Sequence, residues 1–299
     1  VNDFELILGS AVRLAAPLMF AAIGEWIAER AGTLNISVEA MMLGGAFTAV
    51  TGAVATGSPE FGLLCGIVTG LVVALIHANL SHRLSVNTYV VGLTLNVLVL
   101  GLTSYLADKT EFFQVAKVAI PWLSDLPIIG SALFDVRWTT YLLIALIPLA
   151  WWLVQRSRWG LEARAAGENP QSADVTGIHV NKRRRQALLI CGLLGGLAGA
   201  HLAVAEVGTF NTNMTAGRGY IVLAAVIFGG WTLRGALAGC LLFGAADALR
   251  LALPALGYEL NAQLLIASPY LLALAAMFFL AKSHRGPAAL GAPFVRGIT

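Results

Sequence analysis

Charge is scarce in this chain. Only 12% of its 299 residues are Asp, Glu, Lys or Arg, 58% are hydrophobic, and mean hydropathy is +0.79. Soluble domains carry roughly a quarter charged residues, so a soluble enzyme or a charge-rich disordered protein is excluded. The net charge of +3 is small and its basic residues fall at loops, so no nucleic-acid polymer is expected as partner. Cys65, Cys191 and Cys240 are scattered through apolar runs without paired spacing, against a disulfide framework or cysteine metal site. No GxxxxGK[ST] phosphate loop occurs, so hydrolysis of ATP by that route is excluded. HExxH, GxSxG and a TVGYG-type filter are also missing. The histidines are dispersed, and His201, within an apolar run, reads as a packed, hydrogen-bonded residue. Glu39, Glu206 and Asp247 are too few and too loosely placed for a proton or sodium relay, and Asp247 with Arg250 a turn later reads as a helix-end ion pair. No cofactor or metal is expected on this chain. The start, VNDFELILG, shows no basic region or cleavage site, so no cleavable signal is expected.

What is present is apolar and long. Runs lie at roughly 4–25, 34–57, 61–81, 84–107, 138–155, 186–206, 219–232, 234–253 and 264–281. Crossing the hydrocarbon takes about 20 residues. The chain therefore reads as an all-α, polytopic transmembrane helical bundle of about nine spans, with eight to ten allowed. The run at 219–232 is short and is expected to be a half-helix or a re-entrant segment. The segment 156–185 carries Arg156, Arg158, Arg164, Lys182, Arg183, Arg184 and Arg185, whereas 108–137 is balanced. The first is therefore placed in the cytoplasm and the second outside. Counting spans puts Arg30, Arg83, Lys282, Arg285 and Arg296 inside and the N-terminus outside, provided 219–232 crosses.

The stretch 25–45, EWIAERAGTLNISVEAMMLGG, is a polar break between two membrane-length runs. Such a break is a loop outside the bilayer or a lined cavity within it. A helix beginning near Ile36 places Asn35 and Glu39 on one face, with Glu39 at or inside the membrane boundary. Two readings stand: Asn35 caps the helix and Glu39 complements its dipole, or both belong to a functional site. A weak internal echo links NISVEAMMLGGAF (35–47) to GYIVLAAVIFGGW (219–231), which follows Ala216–Arg218. Transporters often pair interrupted segments in this way, with the substrate path between the halves. Gly192, Gly195, Gly196 and Gly199, the pair Gly235 and Gly239, and the pair Gly66 and Gly70 are helix-packing signals.

The basic loop contains a second motif. In GENPQSADVTG, Asn169 suits a helix N-cap, Pro170 the first position and Gly177 the end. A helix of about two turns follows, near 170–176. One so short is marginal alone and must dock on the base of the bundle or on a partner. An amphipathic connector is the plain alternative.

Four segments together carry a resemblance: ERAGTLNISVEAMMLGGAF (29–47), GENPQSADVTGIHV (167–180), AGRGYIVLAAVIFGGWTLRGALAGCLLFGAADAL (216–249) and SPYLLALAAM (268–277). In this order, over nearly the whole chain, the sequence resembles the permease subunits of bacterial ABC importers for nucleosides and simple sugars, within the ribose and branched-chain amino-acid permease group. The resemblance implies one transmembrane permease domain over 1–299 in the bacterial cytoplasmic membrane. It implies a second homologous permease, a paralogue or the same chain, to complete the pathway. Cytoplasmic ATPase subunits would bind ATP and Mg, and an extracytoplasmic binding protein would deliver a small-molecule substrate.

On this resemblance 170–176 looks like the helix that couples to the ATPase, with Glu168, Asn169, Pro170, Ala173 and Gly177 as its residues. Asn35, Ser37, Glu39 and Asn96 become candidates for polar contacts along the pathway, and Phe47, Tyr220 and Trp231 for stacking or gating. The plain alternatives are an interhelical hydrogen bond for Asn96 and lipid-facing or core packing for the aromatics. Ser37 and Ala40 stand where the family usually has glycine, and its usual proline near Leu233 or Arg234 is missing. Substrate choice is the property these departures touch. An ion-coupled carrier acting without an ATPase is the rival class.

Overall fold

The computed structural model describes residues 3–108, 138–255 and 286–296, with a few isolated positions between 263 and 275. The outer loop expected at 108–137, apart from Asp108, and most of the run at 264–281 lie outside the described residues. Among the described residues the regular structure is entirely helical. The helices are α1 (Asp3–Arg30), α2 (Val38–Thr56), α3 (Pro59–His82), α4 (Thr88–Ala107), α5 (Trp138–Gln155), α6 (Arg158–Glu168), α7 (Pro170–Val175), α8 (Val180–Ala200), α9 (Arg218–Phe228) and α10 (Leu233–Ala255). A π-helical turn, His201–Val207, extends α8.

Six of these are long and apolar enough to cross a membrane, or seven if α5 and α6, bent by 66° at Ser157, form one span. The expectation of about nine spans therefore needs qualification at 219–232. That run forms α9, whose 11 residues reach only about 16 Å at 1.5 Å per residue. It is too short to cross alone because Gly217 opens it and Gly229 closes it. Segment 208–217 and α9 together return the chain from the far end of α8 to the end where α1 finishes.

That end collects the basic residues. Arg30 pairs with Glu168 at 3.9 Å, and the Arg185 guanidinium donates to Asn79 Oδ1 on α3 at 2.9 Å. Segment 286–296 lies here too, its Ala289 and Gly291 amides donating to Gly167 and Gly32 carbonyls at 3.0 Å each. We call it the basic end.

α8 is the central helix and packs against α1, α2 and α3. Its glycines make the contact possible. A Cβ on Gly199 would stand 1.8 Å from the Met42 carbonyl oxygen, and one on Gly196 would stand 2.3 Å from that of Gly66. Gly192 and Gly70 meet in the same way. Small residues let backbones approach where lipid supplies no hydrophobic drive. Gly199→Ala is expected to cost about 3 kcal/mol by overpacking, seen as a lower melting temperature of the detergent-solubilised protein. An unchanged melting temperature would contradict the packing described.

The packed, hydrogen-bonded histidine and the ion pair expected from sequence are both present. His201 Nδ1 shares a 2.7 Å hydrogen bond with Thr139, and its ring packs edge-on against Phe20. Asp247 bonds Arg250 at 3.2 Å and also Arg218, on α9, at 3.4 Å.

Candidate functional site

The break after α1 folds back into the bundle. Gly32, at φ +91°, takes the left-handed conformation that favours glycine. The Gly32 and Thr33 amides donate to Glu29 and Ala28 carbonyls, closing the helix end. Residues 31–35 are buried, so their polar groups need partners inside protein. Glu25, one helical turn before Glu29, supplies them. Its carboxylate accepts from the Asn35 amide and from Asn35 Nδ2, both at 3.1 Å.

A buried hydrogen-bond chain runs on from there. Asn35 Oδ1 accepts from the Ser37 amide at 3.1 Å and lies 2.6 Å from Ser37 Oγ. Ser37 Oγ meets His77 Nδ1 at 2.7 Å, and His77 Nε2 meets Thr88 Oγ1 at 2.8 Å. Glu25, Asn35, Ser37 and His77 are all inaccessible to solvent. The chain joins α1, the loop, α3 and α4. Asn35 and Ser37 therefore sit in an interior polar network rather than on an open surface.

Helix α2 starts at Val38, two residues later than the pattern near Ile36 suggests, and this parts Asn35 from Glu39. Asn35 turns toward α1, while Glu39 turns toward α9. The α2 cap comes from another helix: Asn96 Oδ1, on α4, accepts from the Ala40 amide at 2.9 Å. Asn96 Nδ2 donates to the Ile36 carbonyl at 2.9 Å and to the Tyr220 hydroxyl at 2.8 Å.

Glu39 joins two helix starts. Its carboxylate accepts from Thr215 Oγ1 at 2.6 Å, the Gly217 amide at 2.9 Å and the Gly219 amide at 2.6 Å. The last two are free N–H groups at the start of α9, where a helix carries partial positive charge. Glu39 also lies in the first turn of α2. The N-terminal ends of the two interrupted helices thus converge on one carboxylate. Gly219 permits the approach, since a Cβ there would stand 2.6 Å from the Glu39 amide nitrogen.

A cavity of about 240 Å³ opens beside this junction. Glu39, Asn96, Asn213, Gly217 and Tyr220 give it polar or backbone surface, and Ala40, Leu43, Val97 and Leu100 close it with apolar surface. Val97, Leu100 and Tyr220 stay exposed, so the cavity has an open side between α4 and α9. Of the residues singled out from sequence, Glu39, Asn96 and Tyr220 come together here. Phe47 stacks edge-on with Phe210 at 5.2 Å, away from the cavity lining. Trp231 stands at the basic end. Its carbonyl accepts from Trp26 Nε1 at 2.8 Å, and its own indole N–H donates to Glu29.

Asn213, Thr215 and Gly219 escaped the sequence reading. Their one signal was the internal echo, which places glycine-rich sequence just before α9. Glu25 and Glu29 read only as members of the polar break and His77 as a dispersed histidine, because their partners lie on other elements.

At the basic end, α7 forms over Pro170–Val175. Asn169 Oδ1 accepts from the Ser172 amide at 2.9 Å, and Gly177 ends the turn at φ +88°. Ala173 packs against Ala166, Val180 and Phe294 on the base of the bundle. Val175 projects outward, 88% exposed.

The comparisons accord with this architecture. The sequence pattern of the family described as branched-chain amino acid transport system / permease component matches residues 7–281. A guanosine ABC transporter permease protein of Bacillus subtilis, NupQ, is 34% identical over 99% of this chain and 98% of its own length. A nucleoside ABC transporter permease protein of Lactococcus lactis, NupC, is 31% identical with the same coverage. A putative glucose ABC transporter permease protein of Haloferax volcanii, TsgC13, is 38% identical over 85% of this chain and 80% of its own. The chain therefore belongs to the branched-chain amino-acid transport permease family, and it is a multi-pass membrane permease subunit of an ABC transporter.

Proposed function

We propose that this chain forms half of the translocation pathway of an ABC importer for nucleosides. The observation that carries the proposal is the cavity at the meeting of α2 and α9. Its Asn213 side-chain amide suits ribose hydroxyls and base edges, and Asn96, whose N–H groups are already bonded, holds the Tyr220 hydroxyl so that the Tyr220 ring offers a stacking face. Its open side between α4 and α9 is where a second permease, a paralogue or another copy, completes the path. The near full-length likeness to a guanosine and a nucleoside permease supports the same substrate class.

In this account the basic end faces the cytoplasm, as the positive-inside rule directs. α7 seats in an ATPase subunit, which binds ATP and Mg. Closing the ATPase dimer draws the two docked helices together and switches the bundle between outward and inward states, which needs two packings of similar energy. Substrate contacts in the path are few and weak, since tight binding would slow release. Affinity resides in the extracytoplasmic binding protein. Glu39 then acts as a fixed brace of the path, holding two helix starts at a set distance.

The glucose-permease relative favours a second reading, a simple sugar. ATP-driven uptake into proteoliposomes containing the whole complex and its binding protein separates them. Labelled guanosine is expected to accumulate and labelled glucose to stay at background. Accumulation of glucose alone would overturn the nucleoside assignment. Within that assay Tyr220→Ala is expected to lower guanosine uptake about tenfold, base–aromatic stacking being worth roughly 1–3 kcal/mol.

A further inference from the structure

Arg184 is the most deeply buried cation of the basic end, with no exposed surface. No carboxylate lies within ion-pair distance of it among the described residues. Its guanidinium instead donates to three carbonyls: Ala292 at 2.6 Å, Ala289 at 3.3 Å and Ala166 at 3.2 Å. Its Nε has no partner. Ala166 lies in the last turn of α6, where unpaired carbonyls give the helix a negative end. Ala289 and Ala292 belong to segment 286–296. A buried cation without an acid is costly, and here its whole yield is to hold one segment against two helices.

That segment bridges the two working parts of the protein. Toward α7, Phe294 packs on Ala173, and Arg296 Nε bonds Asp174 Oδ2 at 3.1 Å. Toward the interior, the Gly291 amide donates to the Gly32 carbonyl, at the hinge of the loop carrying Asn35 and Ser37. Gly286 lies against the Trp231 ring, a Cβ there standing 2.8 Å from it. Gly32 itself touches the anchor, its ideal Cβ position being 2.8 Å from an Arg184 guanidinium nitrogen.

We propose that segment 286–296, anchored by Arg184, is a strap that carries displacement of α7 to the loop 31–37 and to Trp231, so that Arg184 is a positioning residue in coupling. The proposal rests on the reading of α7 as the ATPase-docking helix. It deepens that reading by naming the route from the docked helix to the broken-helix junction. Without the strap, α7 still reaches Gly32 through the end of α6, whose Gly167 packs against the Gly32 backbone; the strap adds the second hold on Gly32 and the contact with Trp231.

The test uses the whole complex in proteoliposomes, with hydrogen exchange of peptides covering 31–37 followed with and without ATP plus vanadate. In the unaltered complex, nucleotide is expected to change exchange in that loop. Arg184→Met is expected to leave ATP hydrolysis within about twofold and to abolish the exchange response, with guanosine imported per ATP falling at least tenfold. Arg184→Lys, which keeps the charge, is expected to restore part of the response. A merely structural arginine would lower the yield of complex and leave the response of the assembled fraction unchanged, and that result overturns the proposal. If Arg184→Met does not assemble, the double variant Phe294→Ala, Arg296→Ala decides. It spares the buried anchor, and a full exchange response in it also overturns the strap. Val175→Glu separates the two ideas. Release of the ATPase by this variant, beside an intact response in the strap variants, sinks the strap alone. Retention of the ATPase sinks the docking role of α7.

Discussion

Replacing Glu39 with alanine is expected to reduce transport to background while the complex still assembles. Three donors from the start of α9 converge on its carboxylate. Hydrogen bonds to charged groups contribute about 1.5–3 kcal/mol each, and buried donors left unpaired cost about 1–3 kcal/mol. The net loss is on the order of 5 kcal/mol, concentrated at the junction of α2 and α9 rather than spread over the core. The α8 interface with α1, α2 and α3 is untouched, so the bundle persists while the path loses its shape. Glu39→Gln keeps at most two of these bonds, since its amide nitrogen cannot accept from a backbone N–H, and is expected to retain a fraction of activity, about a tenth. Gly219→Ala supplies the complementary test. It leaves the carboxylate in place but forces the two helix starts apart, so it is expected to match the alanine variant in uptake. If Glu39→Ala transports normally, the junction has no role in the pathway.

The second large effect belongs to α7. Pro170 and Ala173 face the bundle and Val175 faces away, so the helix presents an apolar tip beyond a firmly seated base. Burying a valine side chain stabilises an interface by roughly 1.5–3 kcal/mol, and burying an unpaired carboxylate costs more. Val175→Glu is expected to weaken ATPase binding at least a hundredfold, about 2.8 kcal/mol at 1.4 kcal/mol per decade. Co-purification of the ATPase with the tagged chain measures this directly. Because Val175 makes no packing contact within the bundle, the melting temperature of the isolated chain is expected to stay unchanged. Full retention of the ATPase would place the docking surface elsewhere.

Much of this was legible because its signals are local. Asn169, Pro170 and Gly177 mark the ends of α7 by backbone rules that need no neighbour, and the helix falls where they place it. The stripe Gly192–Gly199 announced a close helix contact, and the contact exists because a Cβ on Gly192, Gly196 or Gly199 would meet a backbone atom, while Gly195 faces the Met41 side chain. The low charge content alone fixed the membrane class. What stayed hidden depends on tertiary partners. Asn35 and Glu39 share a face only if the helix begins before both; it begins at Val38, so they serve different networks. Glu25 reads as the first polar residue of the break, and only the fold-back at Gly32 brings Asn35 to it. Arg184 was indistinguishable from its neighbours Arg183 and Arg185, although it alone of the three is fully buried. Tyr220 was named for its type, but its contact with Asn96 lies 124 residues away in sequence. Trp231 was named for the pathway; its bonds to Trp26 and Glu29 hold it at the basic end, where it meets segment 286–296.

The decisive experiment is purification of the tagged chain from native membranes, with ATP hydrolysis assayed in the same sample. An ATPase and a second permease are expected to come with the chain, and guanosine together with the binding protein is expected to stimulate hydrolysis. Val175→Glu is expected to abolish that stimulation by removing the ATPase. The contrary result is a chain that purifies without an ATPase and drives solute uptake in ATP-free vesicles under an ion gradient.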